Sequence, residues 1–272
     1  MSERITMVLQ GGIGNQLFQY CAGLAIAAKL GGELWLTDVQ ENKHSGKDYR
    51  HLLYIRGKAV GIDEDDEEDM PAHFRQQQDT FETWDPNDYA SHPSIMLKGY
   101  YQYLPAIESQ IPYIREDIFN RLSGMRAMIR DKYRIYSPRQ CCFIHVRRGD
   151  YLQLDPQMFW VQDESYFLPA IEKVKQRITG PKRWFVLSDD IAWCKHQSWL
   201  TVAPFEMVEE KDELLGLMLM SMCEGGAVIS NSTYSWWGAI FGCTSVGAPV
   251  VYPSKWIGKE KPKIFPSGWM QL

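Results

Sequence analysis

The chain has 272 residues but no CxxC pair and no cluster of cysteine with histidine. Its six cysteines, at 21, 141, 142, 194, 223 and 243, are scattered through apolar helix and strand patterns. That spacing excludes the usual zinc frameworks. It reads as reduced thiols packed as small hydrophobes, and the expectation is a reducing, cytoplasmic compartment. No run of about 18 apolar residues occurs, so no membrane span is expected. Met1-Ser2-Glu3-Arg4-Ile5 lacks a signal-peptide core. Positive charge is not in excess, the net charge being −5. This argues against a nucleic-acid partner held by bulk electrostatics. A P-loop is missing, which removes the kinase reading. The dinucleotide fingerprint is incomplete because Leu17 stands at its third glycine, so an NAD(P) oxidoreductase fails as well. What remains is an ordinary globular composition, 45% hydrophobic and 23% charged. The length suits two modest domains or one large α/β domain.

What is present is regular. Residues 5–9 read as a buried strand, followed by a glycine-rich turn and a long apolar helix over about 16–30. Strands are expected at 34–36 and 95–97, and a polar helix over 123–134. Ser137-Pro138-Arg139 reads as a linker, dividing the chain into 1–137 and 138–272. In the second half, apolar strands at 142–146, 184–187, 205–208, 227–230 and 249–252 alternate with helical patterns at 165–178, 190–199, 212–223 and 233–242. In the first of these helices Tyr166, Phe167, Ala170, Ile171, Val174 and Ile178 share one face. Trp236 and Trp237 are expected in the core. Strict alternation of strand and helix predicts a parallel sheet with helices on both faces.

Ligands bind beyond the carboxyl ends of such strands. There the sequence carries Arg147-Arg148-Gly149-Asp150, then Ser188-Asp189-Asp190, then Glu209 to Glu213, then Ser230-Asn231-Ser232-Thr233-Tyr234-Ser235. Arginine keeps its charge, and its planar fork fits phosphate oxygens two at a time. The Ser-rich turn opens a helix, whose free N–H groups and dipole favour an anion. The plainer alternatives are a salt-bridged surface loop and ordinary N-capping. A diphosphate held this way would be stabilised as it leaves, which suits a nucleotide-sugar transferase without a metal. Gly11-Gly12-Ile13-Gly14-Asn15-Gln16 is either a bare-backbone ligand loop, with Asn15 and Gln16 offering amides to hydroxyls, or a tight turn with Asn15 as helix cap. Asp63-Glu64-Asp65 formally matches an Asp-x-Asp metal motif, but a solvated acidic loop is the better reading of this run.

Six segments then occur in a family's order: 11–20, 99–102, 145–151, 187–190, 219–223 and 230–239. Together, and over nearly the whole chain, they resemble the α-1,2-fucosyltransferases of glycosyltransferase family 11. The resemblance implies an α/β fold of GT-B type, two Rossmann-like domains facing across a cleft. The N-terminal one would lie on the acceptor side and the C-terminal one would bind the donor. It implies GDP-β-L-fucose as donor, a galactose-terminated oligosaccharide or glycolipid as acceptor, inversion to an α-1,2 product, and no metal or other cofactor. A peripheral contact with a membrane carrying the acceptor fits a chain without a span. Arg147 would hold the β-phosphate, with His145 near the guanosine and Ser232 and Ser235 flanking the phosphates. Gly14, Gln16, Arg148, Ser188, Asp189, Asn231 and Thr233 complete the expected donor site. The family's carboxylate that reads guanine is replaced by Gly216, so Asp212 or Glu213 is expected to substitute. Asp150 and Asp155 are the candidate bases, Asp150 having an alternative role in orienting Arg148. Asn15 is the catalytic candidate of the N-terminal half. The rival readings are a GT-B transferase with another linkage or donor, and a non-catalytic nucleotide-sugar or glycan-binding protein.

Overall fold

The computed structural model describes residues 4–37, 47, 49–53, 57–60, 74–78, 83–89, 94–180, 182–258 and 262–272. The Asp63-Glu64-Asp65 run lies outside them. The chain forms two compact units. One comprises 1–121 with 262–264, the other 122–261 with 265–272.

In the first unit, β1 (Arg4–Val8) runs into α1 (Ile13–Leu30) and returns as β2 (Glu33–Thr37). After α2 (Arg50–Leu53) come β3 (Gly57–Val60), β4 (Phe74–Gln78) and β5 (Ser94–Gly99). The strand order is β3-β2-β1-β5-β4, with every pairing parallel. The sequence pattern does not disclose β3 and β4, because Gly57-Lys58-Ala59-Val60 and Phe74-Arg75-Gln76-Gln77-Gln78 carry no apolar run. The helix α1 starts at Ile13, three residues before the expected start, with Gly12 as its N-cap. Asn15 is therefore inside the first turn and is not the cap. Two short helices follow, α3 (Leu104–Ile107) and α4 (Ile111–Arg121).

The second unit opens with α5 (Ser123–Lys132), which packs on a later helix, α8 (Glu213–Ser221). Tyr133 continues this contact, its ring edge-on to Phe185 and its hydroxyl donating to Glu210 at 2.8 Å. These contacts are why the division falls at Arg121/Leu122 and not at the expected 137/138. The remaining order is β6 (Cys141–Val146), α6 (Glu164–Lys175), β7 (Arg183–Ser188), α7 (Ile191–Cys194), β8 (Phe205–Val208), α8, β9 (Gly226–Val228), α9 (Thr233–Gly242), β10 (Val250–Tyr252) and β11 (Met270–Gln271). The helix expected over 190–199 breaks into α7 and a 3₁₀ turn at Ser198–Thr201.

The second sheet reads β11-β10-β9-β6-β7-β8, all parallel. Counted from β6 this is the doubly wound order, and the strand order reverses between β6 and β9. The apolar face of α6, Tyr166, Phe167, Ala170, Ile171 and Val174, packs on Ile144, Val146, Trp184, Val186 and Val228. Trp236 and Trp237 are fully buried, as expected. All six cysteines are free and buried. No described helix is long and apolar enough to cross a membrane.

Candidate functional site

In the second unit the register builds the site. Val146 pairs with Ser188, and Ile144 with Val228. Arg147 and Asp189 thus leave adjacent strands side by side, with Ser230 on the other flank. The Ser230 hydroxyl donates to the His145 carbonyl at 2.6 Å and accepts the Arg147 N–H at 3.0 Å. One buried hydroxyl therefore ties together the two loops at the point of reversal. The Tyr151 hydroxyl adds a second tie, donating to the Asn231 carbonyl at 3.0 Å.

The two arginines have different partners. Arg147 Nη2 lies 2.7 Å from Asp150 Oδ1, and Nη1 lies 2.9 Å from Asp189 Oδ2. The Arg147 side chain stays 33% exposed, and a carboxylate holds each terminal nitrogen of its fork. Arg148 instead pairs through Nε with Asp190 Oδ2 at 3.2 Å and lies 4.0 Å over the Trp193 ring. Its side chain is only 14% exposed. Its backbone N–H donates to Asp189 Oδ1 at 2.9 Å. Asp189 thus holds both arginines, one by its side chain and one by its backbone. Asp150 orients Arg147, a correction to the expected partnership with Arg148. The Ser188 hydroxyl accepts the Asp190 N–H at 2.9 Å and shapes the same loop.

Beside them α9 begins. Ser232 is its N-cap, and its side chain makes no capping hydrogen bond. Thr233 is the half-buried first residue of the helix. The Ser235 hydroxyl is buried and donates back to the Ser232 carbonyl at 3.1 Å. Asn231 is fully buried, and its amide nitrogen donates to the Trp160 and Trp256 carbonyls at 2.9 and 2.8 Å. It is a strut under the loop.

His145 is 5% exposed, with its ring 5.4 Å from that of Tyr234. Burial, with Arg147 nearby, lowers its pKa to about 3. The imidazole is therefore neutral at any working pH. The unfolded chain binds a proton on this histidine below about pH 6.5, where the folded chain does not. The resulting stability is complete above that pH and is lost as pH falls toward the folded value. The expected slope is about 1.4 kcal/mol per pH unit from this one group. Thermal melts of wild type and His145→Gln between pH 7 and pH 4 check this. The variant's melting temperature should fall less steeply with acid, and parallel curves would refute the assignment.

The Tyr234 hydroxyl donates to the Glu213 carbonyl at 2.6 Å, joining α9 to the start of α8. A Cβ at position 216 would run into that same hydroxyl. This gives a physical reason for Gly216: the tyrosine fills the place. Asp212 caps α8, accepting the Leu214 N–H at 2.8 Å. Asp155 is not brought to the arginine cluster. It is exposed, and its carboxylate accepts the Gln157 N–H within its own turn.

Gly14, Asn15 and Gln16 belong to the first unit. There the sheet reverses between β1 and β5. Gly11 has φ +76°, and a Cβ on it would lie 2.5 Å from Asn15 Nδ2. The loop needs glycine on both counts. Gln16 is fully buried and donates to the Gly11 and Lys47 carbonyls, at 2.8 and 3.2 Å, while Gly14 is buried within α1. The Gln102 amide donates to Asn15 Oδ1 at 3.1 Å. Sequence reasoning did not single out Ser230, Tyr151, Trp193, Tyr234 or Gln102 as site residues. All except Trp193 stand inside the quoted motifs, and that was the available signal.

The sequence model of glycosyl transferase family 11 matches residues 1–272. The O-antigen biosynthesis glycosyltransferase WbnK of Escherichia coli is 26% identical over 97% of this chain and 99% of its own. An alpha-1,2-colitosyltransferase of Escherichia coli is 28% identical over 47% of this chain and 46% of its own. The human galactoside alpha-(1,2)-fucosyltransferase 1 is 26% identical over 72% of this chain and 53% of its own. Among solved structures, POFUT1 in complex with GDP-fucose superposes with a TM-score of 0.56 at 14% identity, over 92% of this chain and 97% of that one. The alpha-1,6-fucosyltransferase NodZ soaked with GDP-fucose gives 0.51 at 14% identity, over 89% and 93%. The fold is the GT-B type expected, built from two parallel α/β units.

Proposed function

Because the chain belongs to glycosyl transferase family 11, we propose that it transfers L-fucose from GDP-β-L-fucose to the 2-hydroxyl of a galactose in a glycan, with inversion and without a metal. The observation that carries this reading is the pair of loops at the reversal point of the second sheet. They tie the backbone of Arg147, whose guanidinium is held by Asp150 and Asp189, to the Ser230 loop that opens α9. A diphosphate needs fixed positive charge and N–H donors where its negative charge grows as the sugar bond breaks. Arginine and a helix N-terminus supply both.

The two carboxylates on Arg147 give the donor something to displace. When the β-phosphate takes the guanidinium edge that Asp150 holds, Asp150 is released. It then accepts the proton of the acceptor hydroxyl as that oxygen attacks C1 and the C1–O bond to GDP breaks. Neutral His145 and Tyr234 line the side toward α8, where Asp212 and Glu213 are the acceptors for a guanine edge. The acceptor is a galactose-terminated oligosaccharide or glycolipid, reached from the cytoplasmic side of a membrane.

The test is a donor-by-acceptor screen. GDP release from GDP-fucose should rise with lactose-type acceptors, and NMR of the product should give an α-1,2 linkage. The colitosyl transfer in one relative's name favours a second reading with the same linkage, so colitose belongs among the donors screened. Binding of GDP with no turnover on any pair would instead favour a non-catalytic binding protein. Activity is also expected to persist in excess EDTA. Loss in EDTA restored by Mn²⁺ or Mg²⁺ would move the chemistry to a metal and revive Asp63-Glu64-Asp65.

A further inference from the structure

We infer that Gln102 is a positioning residue for Asn15, fixing which end of that amide faces which way. The inference rests on the expectation that Asn15 is the catalytic candidate of the N-terminal half, its amide serving a substrate hydroxyl in the proposed transfer.

The loop after β5 is built at some cost to deliver this side chain. Gly99 has φ +143° and Tyr101 has φ +52°. The second value is left-handed backbone on a bulky residue, strain that persists only where its surroundings enforce it. The enforcement is visible. Tyr101 is fully buried, with its ring edge-on to Trp84 at 5.6 Å. Gln19, also fully buried, donates to the Gly99 carbonyl at 2.9 Å and accepts the Gln10 N–H at 3.0 Å. One glutamine thus straps the loop after β5 to the loop after β1. These are the two loops at the reversal point of the first sheet, as Ser230 joins the corresponding pair in the second.

On this strapped loop Gln102 is 2% exposed. Its Nε2 donates to Asn15 Oδ1 at 3.1 Å. Its own carbonyl oxygen is buried with no hydrogen-bond partner among the described residues. A buried, unsatisfied carbonyl is unfavourable for stability. A residue chosen for stability alone would be apolar here. What the glutamine gains is one directed donor. An amide is two-faced, with an acceptor and a donor of nearly the same shape. With Gln102 Nε2 on Oδ1, Asn15 Nδ2 lies toward the bare backbone of Gly11, whose added Cβ it would meet.

The experiment compares Gln102→Met, Gln102→Glu and Asn15→Asp with GDP-fucose and lactose, recording kcat, KM and melting temperature. Gln102→Met removes the donor and also the unsatisfied carbonyl. Its melting temperature should hold or rise while kcat falls, on the order of tenfold to a hundredfold. Gln102→Glu offers only acceptors to Asn15 and should invert the amide, with a loss in kcat at least as large. GDP affinity should not change in either. Asn15→Asp keeps an acceptor for Gln102 and loses the amine. If Asn15→Asp turns over normally, the parent reading of Asn15 fails. If Asn15→Asp is slow while Gln102→Met keeps wild-type kcat, the positioning role alone is overturned. A fall of stability and kcat together in Gln102→Met would make Gln102 ordinary core and also overturn it.

Discussion

Arg147→Lys should cost two to three orders of magnitude in kcat/KM for GDP-fucose while the protein stays folded. The size follows from removing a preorganised donor of developing charge, on the order of 10²–10³. The geometry explains why lysine is a poor substitute. Arg147 reaches Asp150 and Asp189 at once, through Nη2 and Nη1, and both pairs fix the plane of its fork. A lysine has three donors on one nitrogen and no rigid plane, so it cannot hold the two carboxylates at separate ends as the fork does. It then presents a mobile point charge to the diphosphate. The stability loss should be small, about 1 kcal/mol, because these side chains are a quarter to a third exposed and water screens the unpaired acid. Arg148→Lys should be milder in rate, since the Arg148 side chain lies over Trp193 and only its backbone reaches Asp189. Steady-state kinetics with circular dichroism on both variants separates the roles. A folded Arg147→Lys enzyme within about threefold of wild type would sink the phosphate assignment.

Gly149→Ala should be nearly as damaging, although it adds one methyl group to a loop. A Cβ at 149 would sit 2.7 Å from Asp189 Oδ2 and 3.0 Å from its Cγ. That oxygen is the partner of Arg147 Nη1, and the other carboxylate oxygen holds the Arg148 N–H. Asp189 is a short side chain engaged at both oxygens, so it cannot step aside without releasing Arg147. The expected loss in kcat/KM is about ten- to a hundredfold, with about 1–3 kcal/mol of stability from overpacking. The decisive measurement is a double-mutant cycle. Asp189→Ala should show a similar rate loss by itself. The double variant should be no slower than the worse single one, because both changes act through the same carboxylate. Additive losses would mean that Gly149 matters for some reason other than Asp189.

The amino-acid sequence by itself determined the alternation of strand and helix in the second unit. Apolar runs and 3.6-residue faces are local properties that survive without knowing their neighbours. It also determined that Arg147, Asp189 and Ser232 follow strand ends, since a turn residue marks its own place. β3 and β4 were illegible for the same reason, because Gly57-Lys58-Ala59-Val60 and Phe74-Arg75-Gln76-Gln77-Gln78 carry no apolar period. The tertiary structure alone decided who meets whom. Arg147 and Ser230 lie 83 positions apart, and Asn15 and Gln102 lie 87 apart. Only the strand order and register bring them to one edge. Arg147 and Arg148 look equivalent as letters. They take opposite parts because consecutive residues leaving a strand point to different neighbours. In the sequence Asp150 and Asp155 are both candidate bases, and of the two it is Asp150 that meets Arg147 while the Asp155 carboxylate is engaged in its own turn. Gly216 looked like a lost carboxylate until the Tyr234 hydroxyl was found in its place. Periodicity and turn chemistry are written along the chain. Pairing between distant loops is not, because it depends on how whole strands align.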